Sequence, residues 1–403
     1  MSDVVIQEEH IIAVRPAEPG PIQPGEIDGT DLYAIPGLVD GHVHLTVPNY
    51  PDRMRADLNA ALLDGVTSVR EMGGDVPAFR PLADSSQQGD PGLPRIFYAA
   101  LLASDSWFAA QHFPVSFAAG HRPWLASVEP ASDPDPLIRA AAGAGVTGIK
   151  LTSGIAPEDV EALSRAAHAV GLRVWSHAAV HPGRPSDAIR AGVDVLSHAT
   201  LLAWETQAID WTDNDNASRW MQACRALAGD APRRASLFVQ MRMSGTLLEP
   251  TLAASRHQRP PGRKGLDPVD ACGIQLTRDA HAAGISLVAG TDFFLQRAGR
   301  AVLHEELHLL VRDGGLSPRE ALQAATVNAA RAVGQQGSLG RLRPGFLADV
   351  VLLSADPTID IDNANCIVAV IKAGRLRLPP FSHCDTAVAH SSDQRWGNVI
   401  RLY

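Results

Sequence analysis

From Tyr33 onward the chain repeats one pattern: a short apolar run, a loop, then a stretch of helical period. Apolar runs of this kind lie at 35–42, 66–71, 95–102, 146–151, 172–177, 193–198, 246–250 and 285–291. Stretches such as Asp52–Leu63, Pro157–Val170 and Leu303–Val311 fall between them and carry apolar residues at helical spacing. No other feature constrains the fold as much. Strands that alternate with helices pair in parallel, and eight such units close into a (β/α)8 TIM barrel. A doubly wound open sheet would need fewer repeats and a Gly-rich phosphate loop, and the loop is missing.

The flanks read differently. Residues 3–14 alternate loosely around Val5, Ile11, Ile12 and Val14, with a polar break at Glu8 and Glu9, which predicts a hairpin. After Ala332, the runs LADVVLL and CIVAVIKAGRL predict short strands within 347–376 that pair with that hairpin. The expected organisation is residues 1–34 as one part of a small β domain, 35–335 as the barrel, and 336–403 as the other part plus a tail. Two long segments, 104–132 and 200–240, do not fit the repeat and are expected to be loops over the barrel mouth.

Composition excludes several roles. The 403 residues carry a formal net charge of −9 and no Lys/Arg-rich run, so no nucleic-acid partner is expected. No apolar stretch is long enough to span a bilayer, and the first residues show no signal peptide, so a cytoplasmic protein without a membrane partner is expected. The four cysteines, Cys224, Cys272, Cys366 and Cys384, have no close pairing and read as reduced thiols. Assembly into a homo-oligomer is compatible with all of this.

Strand parity locates the chemistry, because alternate residues of a barrel strand face the helices and the interior. Val39, Val43 and Leu45 suit the helix layer, which turns His42 and His44 inward. The same reading places Ile149 and Leu151 outside with Lys150 inside, and Leu172 and Val174 outside with His177 inside. It places Val193 and Val195 outside with His198 inside, and Ile285, Leu287 and Ala289 outside with Asp292 inside. Five strands thus end on an inward polar group at the rim where barrel active sites gather. Imidazoles and a carboxylate are what Zn²⁺ and similar ions bind. An ammonium beside divalent ions is repelled. A neutral lysine amine can instead capture CO₂ and become an anionic carbamate that bridges two ions and lowers the charge of the cluster. Each residue alone also has a structural reading: a hydrogen-bonded core histidine, an ion-paired Lys150, an Asp292 that caps a helix.

These residues resemble the amidohydrolase superfamily. IPGLVDGHVHL is similar to its strand-one signature, and GIKL, VWSHA, VLSHAT and AGTD follow in the order of strands four, five, six and eight. LSPREALQAATVNAARAVG and GSLGRLRPGFLADVVLLSADP resemble the closing helices and the return to the small β domain. The ligand set resembles the binuclear, lysine-carbamate subtype, in its imidazolonepropionase-like and Xaa-Pro-dipeptidase-like branch. That resemblance implies two divalent ions, with zinc the expected metal. His42, His44 and Asp292 would hold the more buried one, His177 and His198 the other, and carbamylated Lys150 would bridge them. It implies hydrolysis of an amide-type C–N bond, or a related ester or lactone, in a small-molecule substrate by a hydroxide held between the ions. Asp292 and Lys150 are the catalytic residues in that reading. The alternatives are a mononuclear deaminase or cyclic imide or imidazolone hydrolase with unmodified Lys150, and a non-catalytic barrel. The usual deaminase acid is disfavoured because Glu205 lies seven residues after His198.

The sequence departs from this branch in two places. Ala179 stands where many relatives carry a second histidine after strand five, and WFAAQHF replaces a Gly-rich loop after strand three. His112 and His181 are candidate substrate contacts, and Trp107, Trp124 and Trp204 are candidate pocket walls.

Overall fold

In the computed structural model, seven parallel strands lie side by side at 38–43, 66–71, 95–103, 148–151, 173–177, 195–197 and 247–249. Residues 2–17, 20–23, 26–46, 51–110, 122–206, 216–257, 267–292, 296–297, 300–380, 384 and 399–402 are described. The segment 285–292 closes the ring. Val288 N bonds Leu248 O at 2.8 Å on one side, and Gly41 N bonds Ala289 O at 2.9 Å on the other. The barrel is therefore the one expected, but its eighth strand is reduced to a single parallel bridge, Leu248 to Leu287. The cause is competition for its backbone groups. Asn328 Nδ2 takes Leu287 O at 2.8 Å, and Ala289 N turns to Ala324 O.

The expected helices form where the apolar spacing put them, at Pro51–Leu63, Pro157–Ala169 and Val302–Arg312. The last buries Leu303, Glu306, Leu307 and Leu310 along one face, the spacing that turns a helix stripe toward a sheet. Proline at the first helical turn starts Pro157–Ala169, where its missing N–H costs nothing. The described parts of 200–240, residues 200–206 and 216–240, are helical rather than looped. They form a 3-10 turn at Ala199–Glu205 and helices at Asn216–Gly229 and Ala231–Ser244.

The layers correct two parity assignments. Val39 and Val195 do not join the core on which the outer helix layer packs. They join Trp175, Leu247 and Val288 in a small core separate from the helix-facing one, which Ala329 and Ala332 complete. Strand 38–43 shifts register after Leu38 and again after Asp40, so simple alternation from Val39 to His42 breaks down. His198 reaches the rim because its own backbone is left-handed, with φ 71°.

The two chain ends build two four-stranded sheets. The hairpin 2–16 forms, but its strand partner is Val399–Leu402, within the stretch read as a tail. Strand Val350–Leu353 pairs instead with Tyr33–Pro36 and Ile367–Lys372. The sheets meet through a shared core of Val4, Ile6, Ile11, Val350, Leu352 and Ile400, and each is itself a ladder between the two ends, since Val399–Leu402 pairs Ser2–Gln7 and Glu26–Asp28 while Val350–Leu353 pairs Tyr33–Pro36. The cysteines are not free thiols. Cys224 bonds Cys272 and Cys366 bonds Cys384, pairs that lie 48 and 18 residues apart and are brought within reach only by the fold. Among the described residues no helix is long and apolar enough to cross a membrane.

Candidate metal centre

The first strand delivers His42 and His44 to the barrel rim, and Asp292 meets them from the closing segment. His42 Nε2 lies 3.1 Å and His44 Nε2 3.0 Å from Asp292 Oδ1. One possible ligand atom from each of the three falls within 4.8 Å of the others. Asp292 is fixed through its backbone, since its N–H donates to His42 O at 2.8 Å and its φ is 50°. A non-glycine residue holds that conformation only where its surroundings impose it. Buried Asp40 supplies the imposition. It accepts from His42 N and Thr291 N at 3.1 Å each, and from Thr291 Oγ1 at 2.9 Å, which staples the first strand to the closing segment. Burial pushes the Asp40 carboxyl up to about 7.

His198 and His177 complete an imidazole cluster. Ring centroids are 5.2 Å apart for His42 and His198, and 4.9 Å for His177 and His198. His198 Nδ1 lies 3.0 Å from Thr251 Oγ1 and 3.7 Å from Asp292 Oδ2. His177 Nδ1 is buried with no hydrogen-bond partner. Lys150 is 2% exposed, and its Nζ donates to Ser197 Oγ at 2.9 Å. The six residues named from the sequence thus converge on one end of the barrel. His112 lies outside the described residues. His181 sits in the turn after the fifth strand, where its carbonyl accepts from Ile155 N at 2.9 Å. Trp204 is buried in the main core and meets Trp220 edge to face, with ring centroids 5.8 Å apart, a packing role rather than an open wall.

Burial sets the charges of the site. It holds His177 well below the usual imidazole range, lowers His198 to about 3, and brings Lys150 down to about 7. Burial opposes ionisation of Asp292, but the His42 and His198 imidazoles beside it and the hydrogen bonds from His42 and His44 outweigh it and hold its carboxyl well below the ordinary range. Burial likewise opposes a charged His44, and the hydrogen bond and charge of Asp292, with Glu71 behind it, raise it nonetheless. His177 and His198 are thus held neutral beside an ionised carboxylate, and neutral imidazole and carboxylate are the donors a divalent cation takes. The convergent trio and the orphaned His177 nitrogen fit such an ion.

Sequence reasoning missed the residues beneath the rim. Glu249 ends the seventh strand, fully buried, and accepts from His42 Nδ1 at 2.7 Å, Arg70 Nη2 at 2.6 Å and Ser197 Oγ at 2.9 Å. Glu71 ends the second strand and accepts from Leu45 N, next to His44. The signal existed: Glu249 shares parity with inward Leu247, and an acid inside a wholly buried strand needs a partner.

The profile of the amidohydrolase family matches residues 33–377. The ochratoxinase of Aspergillus niger is 37% identical over 107 residues, 26% of this chain and 22% of that protein. The imidazolonepropionase of Rubrobacter xylanophilus is 41% identical over 101 residues, 24% of each chain. The matched stretches therefore span about a quarter or less of these curated relatives. The structure of a Xaa-Pro dipeptidase with methionine bound in its active site superposes with a TM-score of 0.71, at 21% identity over 93% of this chain and 94% of that one.

Proposed function

We propose that this chain, which belongs to the amidohydrolase family, is a metal-dependent hydrolase that cleaves an amide-type C–N bond, or a related ester, in a small molecule. One observation carries the reading: His42, His44 and Asp292, from opposite ends of the barrel sequence, aim three potential ligand atoms at one point. Residues 35–335 carry the chemistry in this reading, and 1–34 with 336–403 form the small β domain.

His42, His44 and Asp292 would hold one divalent ion, His177 and His198 a second, with Lys150 as a carbamate between them. Zinc is the ion we propose. Such ions, when bound, polarise a carbonyl and make water acidic enough to attack near neutral pH. The chain's own contribution starts with Asp292, whose carboxylate is ionised and partly open to solvent, so it can take the proton of the attacking water and deliver it to the leaving nitrogen. The burial of Lys150 favours its neutral amine, the form that reacts with CO₂. Deep burial of His42 excludes water from the floor of the site, which strengthens each polar contact there.

A mononuclear site with unmodified Lys150 is the second reading, and one observation favours it. Among the described residues, the ligand atoms that fall within 4.8 Å of one another come from His42, His44 and Asp292, enough for one ion. Counting metal per chain, together with native mass spectrometry, separates the two. Two ions and a mass increase of one CO₂ support the binuclear reading; one ion and an unmodified mass support the other. Purified protein without divalent metal, and inert toward a broad panel of amides and esters, would refute both. The expectation of cytosolic residence loses one support, because the four thiols it rested on are paired.

A further inference from the structure

Below the rim, the barrel carries a closed polar chain that the proposed reaction does not itself require. His42 is 1% exposed and Glu249, Arg70 and Ser197 are fully buried. Both oxygens of Glu249 are committed, Oε1 to Arg70 and Oε2 to His42 Nδ1 and Ser197 Oγ. Arg70 is itself fixed. Its Nε donates to Gly41 O in the first strand, and its guanidinium lies over the Trp175 ring at 4.7 Å. The backbone leaves room for the carboxylate. A Cβ on Gly41 or Gly290 would come within 2.7 Å or 2.5 Å of Glu249 Oε1. Neither glycine has a positive φ, so close approach rather than backbone freedom excludes a side chain there.

We infer that Glu249, anchored by Arg70, is a positioning residue that keeps the His42 proton on Nδ1 and presents Nε2 to the ion, making the His42–His44–Asp292 position the tighter one. The inference rests on the metal-dependent reading above. A carboxylate with no proton of its own can only accept, so the facing Nδ1 must donate, and the lone pair is left on Nε2, 3.1 Å from Asp292 Oδ1. A carboxylate behind a ligating imidazole also raises its basicity as a ligand. His198 has weaker support, because its Nδ1 hydrogen-bonds the uncharged hydroxyl of Thr251 at 3.0 Å and the Asp292 carboxylate lies 3.7 Å away, beyond hydrogen-bond reach. The two imidazoles therefore differ as donors by construction. Arg70 is what makes a second buried anion tolerable next to Asp292.

The test is a zinc titration of the full chain against a chromophoric chelator, with Glu249→Gln and the double variant Glu249→Gln/Arg70→Met. The double variant removes both buried charges, so no unpaired guanidinium remains to prevent folding. Wild type is expected to bind zinc, and both variants to lose about 10- to 100-fold in the tighter step. A folded double variant with wild-type affinity would overturn the positioning role and leave the proposed function standing. Wild type that binds no zinc would overturn both. Histidine-selective ¹⁵N spectra of the wild-type protein give a readout that needs no Glu249 variant, with the His42 signal assigned by its loss in His42→Gln. Nδ1 of His42 should be protonated and strongly hydrogen-bonded, and a proton on Nε2 instead would refute the inference.

Discussion

Gly290→Ala is the most economical challenge to the architecture described here, because one methyl group interrogates both the closing segment and the site. Built on the backbone, the new Cβ would lie 2.5 Å from Glu249 Oε1, 2.8 Å from Glu249 Cδ and 2.9 Å from His42 Cβ. Contacts that short must be relieved, and neither neighbour can swing away. Glu249 is held at both oxygens, and His42 sits in a strand between Gly41 and Val43. Overpacking of a rigid core costs about 1–3 kcal/mol. With about 2 °C per kcal/mol at this length, the unfolding midpoint should fall by about 2–6 °C. Displacing Glu249 from His42 should also weaken zinc binding. The control is Gly143→Ala at the end of helix Asp135–Gly143, where a Cβ meets nothing within 4 Å. A helical Gly→Ala change there should be neutral or stabilise by about 0.5–1 kcal/mol. Thermal unfolding of the three proteins, with metal content measured in parallel, decides the matter. If Gly290→Ala melts with wild type and retains its zinc, the close packing of the closing segment on Glu249 is refuted.

Asp292→Asn should lower kcat by about 10²- to 10⁴-fold with a much smaller change in KM, since the amide cannot carry a proton; a loss below about tenfold in steady-state kinetics would assign Asp292 to structure. Lys150→Ala should lose metal and activity yet fold, and in the binuclear reading a small carboxylic acid, not a small amine, should restore part of the rate. Reduction of the disulfides should destabilise the chain, because Cys224–Cys272 alone closes a 48-residue span and contributes about 2–4 kcal/mol. Unfolding curves that coincide with and without reductant would show that this bond does not form in solution.

The sequence by itself determined the barrel, the hairpin at its start and the residues at its rim. Those features are written in local period. Leu303, Leu307 and Leu310 recur as a helix requires, and Lys150 sits between Ile149 and Leu151 as a strand requires, whatever lies around them. The tertiary structure decided what has no local signature. Whether Val39 faces in or out depended on a register shift against the second strand, and His198 reaches the site through a left-handed residue that alternation cannot anticipate. The partner of the N-terminal hairpin lies at Val399–Leu402, at the far end of the chain, and the disulfides join cysteines whose spacing carries no pairing information. Glu249 is the sharpest case. Its meaning comes from His42, 207 residues away, and Arg70, 179 residues away. A buried charge is settled by whichever opposite charges and donors the fold brings to it, and the fold that chose these partners is the closure of the barrel.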